Sequence, residues 1–74
     1  MENQTTGQRI RALRRSKKLT QVQLAKIAGV SSPAVTEWEK DSYLPKAASL
    51  EAMANEFGVT TEYILSGKGG EFKS

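Results

Sequence analysis

Neither cysteine nor histidine occurs among the 74 residues. Their absence removes disulfide stapling, zinc fingers, thiol nucleophiles and histidine general-base chemistry together. Apolar runs extend for only a few residues, so no segment is long enough to span a bilayer. Residues 1–8 are polar and lack the apolar core of a secretory signal. There is no phosphate-binding glycine loop, nucleophile–base pair or metal-ligand cluster. The sequence is therefore read as a cytoplasmic non-enzyme with no cofactor and no metal. A chain of this length buries only about 60% of its unfolded surface, which excludes a deep cleft between two lobes and leaves one small domain.

What is present is a soluble, globular balance, with 38% hydrophobic and 26% charged residues. The net charge of +3 conceals a polarised chain. Residues 1–26 hold seven basic side chains (Arg9, Arg11, Arg14, Arg15, Lys17, Lys18, Lys26) against Glu2 alone, a balance of +6. Residues 27–62 hold Lys40 and Lys46 against Glu37, Glu39, Asp41, Glu51, Glu56 and Glu62, a balance of −4. Such asymmetry suits a basic face turned to a polyanion, although basic residues also simply solvate a helix.

Helical periodicity dominates and strand alternation is nowhere sustained. Residues 7–18 predict an amphipathic helix with Ile10 and Leu13 inward and Arg11, Arg14, Arg15 and Lys18 on another arc, Arg14 at its border. Thr20 and Gln23 fit a capping box opening a second helix, which Gly29 ends. Ser31-Ser32-Pro33 starts a third. Ser32 is preferred as its cap because the residue before proline avoids helical conformation, with Ser31 the alternative. Residues 40–46 read as a loop. A fourth helix over 47–57 repeats Leu50, Met53, Ala54 and Phe57 and ends at Gly58, and Thr60 caps a short fifth. Trp38, Leu50, Met53, Phe57 and Ile64 are expected in the core. Residues 1–66 form the domain and 67–74 a flexible tail or linker.

Two short helices meeting at Ala28-Gly29-Val30, with Ala25 small at their crossing, have the form of a helix-turn-helix. Leu19-Thr20-Gln21-Val22-Gln23-Leu24-Ala25, Val35-Thr36-Glu37-Trp38-Glu39 and Gly58-Val59-Thr60-Thr61-Glu62-Tyr63-Ile64-Leu65 carry a resemblance to the Cro/repressor (XRE) family. The nearest likeness is to N-terminal DNA-binding domains of lambdoid phage repressors. It covers some four-fifths of the chain. The resemblance implies an all-α, compact five-helix fold of the lambda-repressor type, with helix 3 entering the major groove.

On that footing, Ser32, Pro33, Thr36 and Glu37 are expected to meet base edges, Glu37 accepting from cytosine N4. Relatives often carry Gln at the position of Glu37. Plainer roles also exist: capping for Ser32 and Pro33, and a solvated surface acid for Glu37. Gln21, Arg11, Arg15, Lys40 and Lys46 are the expected phosphate contacts. The resemblance further implies an ion pair between Arg14 and Glu39 that orients helix 3. Leu44, Val59 and Leu65 are expected to be partly exposed and to form a dimer interface. The implied partners are a double-stranded, pseudo-palindromic DNA operator, a second copy of the chain, and an antirepressor or other regulatory protein, in a bacterial cytoplasm. The competing readings are an antitoxin or general bacterial regulator of the same fold, and a helical protein–protein adaptor.

Overall fold

In a computed structural model, which describes residues 4–68, the chain forms five helices: α1 (Thr6–Ser16), α2 (Gln21–Ala28), α3 (Ser32–Glu39), α4 (Ala47–Phe57) and α5 (Thr61–Ser66). Residues 1–3 and the expected tail beyond Lys68 lie outside the described residues. α2 packs on α3 and α4, α1 on α3 and α5, and α4 on α5. Ile10, Leu24, Val35, Trp38, Leu50, Met53, Phe57, Val59 and Ile64 fill the space between them.

Local chemistry sets where each helix begins. Thr20 Oγ accepts from the Gln23 amide at 3.0 Å while the Gln23 side chain accepts from the Thr20 amide at 2.8 Å. The expected capping box is therefore present. A second one, Thr5 with Gln8, opens α1, and Thr60 Oγ accepts from the Tyr63 amide in α5. α3 departs from expectation: its cap is Ser31, with Ser32 and Pro33 already in the first turn. The restriction on a residue before proline is a preference, and here an Ala34 amide bond to the Ser31 carbonyl, 3.0 Å long, closes the turn.

The helices also end alike. In α1, α2, α3 and α4 the chain takes a left-handed residue and the next amide donates back to a carbonyl five residues earlier: Leu19 to Arg14, Val30 to Ala25, Ser42 to Glu37, Val59 to Ala54. Glycines 29 and 58 supply the positive φ in two of them, but Lys18 (φ 59°) and Asp41 (φ 64°) supply it in the others. Lys18 thus lies past the end of α1, not on the basic arc expected of it.

Two further expectations change. The turn after Gly58 folds Val59 back over α4, and Val59 is 2% exposed. It belongs to the core and not to a dimer surface. Arg9, counted in the sequence only toward the charge of residues 1–26, is buried at 7% exposure. Its guanidinium spans three carbonyls, donating Nε to Ile64 (3.0 Å), one terminal nitrogen to Leu65 (3.0 Å) and the other to Gln4 (2.9 Å). The N-terminus of α1 is thereby fastened to the end of α5.

Candidate nucleic-acid interface

α2 and α3 adjoin across a two-residue cap-and-turn, Gly29 and Val30 preceding the Ser31 cap. Val35 and Trp38 of α3 are buried against the other helices. Ser32, Pro33, Thr36 and Glu37 fall on another side of α3 by helical spacing. Of these Pro33 is exposed and Ser32, Thr36 and Glu37 are half-buried.

A hydrogen-bonded chain fixes how α3 sits. The Arg14 guanidinium meets Glu39 through both arms, Nε to Oε2 at 2.6 Å and Nη2 to Oε1 at 3.1 Å. The orienting pair between α1 and α3 is therefore in place. A third Arg14 nitrogen donates to the Leu19 carbonyl at 2.9 Å, which ties the pair to the α1–α2 connection. Gln21 then extends the chain: its Nε2 donates to Glu39 Oε1 at 3.1 Å, and its Oε1 accepts from Thr36 Oγ1 at 2.9 Å. One carboxylate thus coordinates α1, the first turn of α2 and the outward side of α3. The Arg14 and Glu39 side chains are only 12% and 6% exposed, so each charge depends on the other.

The structure brings Gln21 and Thr36 together, which the sequence reading kept in separate roles. Gln21 stands where the first amides of α2 have no intrahelical acceptor, a position suited to an anion. Its side-chain amide, however, already serves Glu39 and Thr36. Thr36 likewise presents a committed hydroxyl and a methyl group. Glu37 carries partners of its own: Ser42 Oγ donates to Oε1 at 2.6 Å, and Lys40 Nζ lies 3.9 Å from Oε2. Arg11, Arg15, Lys40 and Lys46 are exposed. Leu44 and Leu65 are exposed as well, as is Tyr43. A hollow of about 250 Å³ lined by Val30, Ala34, Trp38, Tyr43, Leu44, Lys46 and Ser49 opens beside Leu44, and Leu65 is not part of it.

Asp41 and Arg9 are the residues that sequence reasoning missed. Asp41 accepts from the Gly7 amide (2.9 Å) and from Thr5 Oγ (2.6 Å), capping α1 from the far end of α3. These two donors, with the Arg9 charge nearby, hold its carboxyl below the ordinary value of 3.8. For Arg9 a signal existed, since it lies one turn before Leu13 on the inward side of α1. No group of acidic residues among the described residues is placed to hold a metal. Among the same residues no helix is long and apolar enough to cross a membrane.

The chain matches the helix-turn-helix family over residues 10–64. It is 44% identical over 61 residues to the immunity repressor protein of Bacillus phage phi105, covering 82% of this chain and 42% of that protein. It is 36% identical over 67 residues to repressor protein C2 of Salmonella phage P22, covering 90% of this chain and 31% of that protein. The chain thus spans less than half the length of these relatives. The crystal structure of the P22 c2 repressor with a synthetic operator superposes with a TM-score of 0.83 at 35% identity, over 88% of this chain and 98% of that one.

Proposed function

The chain belongs to the XRE-type helix-turn-helix family, and from that membership we propose that it is the operator-binding domain of a phage-type transcriptional repressor. It binds double-stranded DNA in the bacterial cytoplasm by laying α3 in the major groove, as a homodimer on a pseudo-palindromic operator. The observation that carries this reading is the Arg14–Glu39–Gln21–Thr36 chain, which sets α3 against α1 and α2 with Ser32, Pro33 and Glu37 turned outward.

Roles follow from chemistry. Ser32 and Glu37 offer polar groups to base edges, while the Pro33 ring and the Thr36 methyl suit a thymine methyl. Gln21, through the first amides of α2, together with Arg11, Arg15, Lys40 and Lys46, grips phosphates. Leu44 and Leu65 form the surface for a second copy. A single domain offers an interface of only about 600–1,000 Å², so two copies are needed for useful affinity.

Selection of bound duplexes from a random pool tests this directly. An inverted repeat with half-sites about 34 Å apart, bound with an affinity that falls steeply with salt, is the expected result. Recovery of no sequence above background at low ionic strength overturns the reading. Gln21→Ala keeps the first amides of α2 but strips Glu39 and Thr36 of the side chain that ties α2 to α3, and it is expected to weaken all duplexes about equally.

A further inference from the structure

Glu37 does not stand free on the outward side of α3. Ser42 holds it twice: Ser42 Oγ donates to Oε1 at 2.6 Å, and the Ser42 amide donates to the Glu37 carbonyl at 2.9 Å. Oε2 is left without a hydrogen bond from this pair. Lys40 Nζ, 3.9 Å away, lies beyond hydrogen-bond reach but close enough to offset the charge. Ser42 arrives there because Asp41 takes a left-handed φ of 64°. Asp41 is in turn pinned to α1 by the Gly7 amide and the Thr5 hydroxyl. The serine is thus set by the fold.

Resting on the reading of α3 as the base-reading helix, we propose that Ser42 is a specificity-determining positioning residue that acts through Glu37. Its hydroxyl takes one lone pair of Oε1, selects one side-chain conformation, and leaves Oε2 as the oxygen it does not engage, presented to the exocyclic amine of a cytosine. A glutamate without that restraint has three rotatable bonds and two equivalent oxygens, and it accepts from any amine along the groove floor. Lys40 contributes by offsetting the repulsion between Glu37 and the phosphates. Ser42 itself touches no base.

The test runs the random-pool selection in parallel on the full wild-type chain and on S42A, S42T, E37A and the E37A/S42A double variant, with thermal melting of each. The wild type is expected to prefer cytosine at one position per half-site. S42A is expected to lose that preference by about five- to tenfold, the low end of the discrimination a good base contact provides, with the rest of the motif and the melting temperature unchanged. S42T keeps the hydroxyl and the preference. E37A loses the preference, and adding S42A changes nothing more. An S42A motif identical to wild type, or an equal weakening on every sequence, overturns the role of Ser42 and leaves DNA binding standing. A wild-type chain that enriches no sequence overturns both.

Discussion

Gly7 of α1 lies against the main chain of Trp38 so closely that a Cβ there would collide with the Trp38 carbonyl oxygen and crowd the Glu39 carbonyl, 2.9 Å away. The obstacles include backbone, which cannot swing aside as a flexible side chain does. The contact brings the Gly7 amide within 2.9 Å of Asp41. Gly7→Ala is therefore expected to push α1 off α3 and to destabilise the fold by about 1–3 kcal/mol, as overpacking does. Thermal melting followed by circular dichroism checks this, at about 4–8 °C per kcal/mol for a domain of this size. A melting temperature equal to wild type would show that α1 slides freely.

Arg14 and Glu39 form the second seam between the same helices. Removing Arg14 leaves a nearly buried carboxylate with Gln21 as its remaining side-chain partner. Arg14→Met is expected to cost about 3 kcal/mol or more. Arg14→Met combined with Glu39→Leu is expected to be more stable than either single variant, because no charge is then stranded. Denaturant midpoints of the four proteins give the coupling. Strict additivity would mean that the pair contributes nothing jointly.

Much of this arrangement was legible in the sequence because it is local. The boundaries of α4, the capping box of α2 and the glycine-ended turns at Gly29 and Gly58 are written within a few residues of each other. What escaped is long-range. Nothing near Asp41 announces that its carboxylate caps a helix 34 residues upstream. The start of α1 was placed at Gly7 because the cap at Thr5 falls in a polar stretch with no apolar period. Val59 was expected at the surface since a single apolar residue after a glycine carries no periodicity, and only the direction of the turn decides its side. Within the site, the family resemblance pointed to DNA, but the mutual commitment of Gln21 and Thr36 depends on how two helices cross.

Arg9 satisfies three carbonyls in directions that only a planar fork spans. Lysine brings its donors from one nitrogen. Arg9→Lys is therefore expected to leave the buried Ile64 carbonyl or its neighbours unpaired, at about 1–3 kcal/mol. Because the lost bonds hold the end of α5, amide exchange at Ile64 and Gly67 should accelerate more than in α2. Uniform acceleration throughout the chain would refute a local clasp.

Lys18 adopts φ 59° to end α1, a conformation that costs a side chain about 1–2 kcal/mol. It is exposed. Lys18→Gly is expected to stabilise the fold by about 0.5–1 kcal/mol, less than the full relief because glycine also gains freedom in the unfolded chain. A higher melting temperature with unchanged helical content is the supporting result, and a lower one refutes relief of strain at this turn.

Asp41 links stability to acid. The Thr5 hydroxyl first, then the Gly7 amide and the Arg9 charge, favour its carboxylate in the folded chain and hold its pKa below the ordinary 3.8. A group with a depressed folded pKa contributes stability that is fully present above its unfolded value and disappears as the pH falls through the folded one. Asparagine tolerates the left-handed backbone and keeps an acceptor oxygen, so Asp41→Asn removes the charge with little change of shape. The variant is expected to be less stable than wild type at neutral pH. The gap should stay constant down to about pH 5 and close below the ordinary carboxylate value as both side chains become neutral. Urea midpoints measured across that range decide it: a gap that persists undiminished in strong acid would mean that the charge of Asp41 does not strengthen the cap on α1.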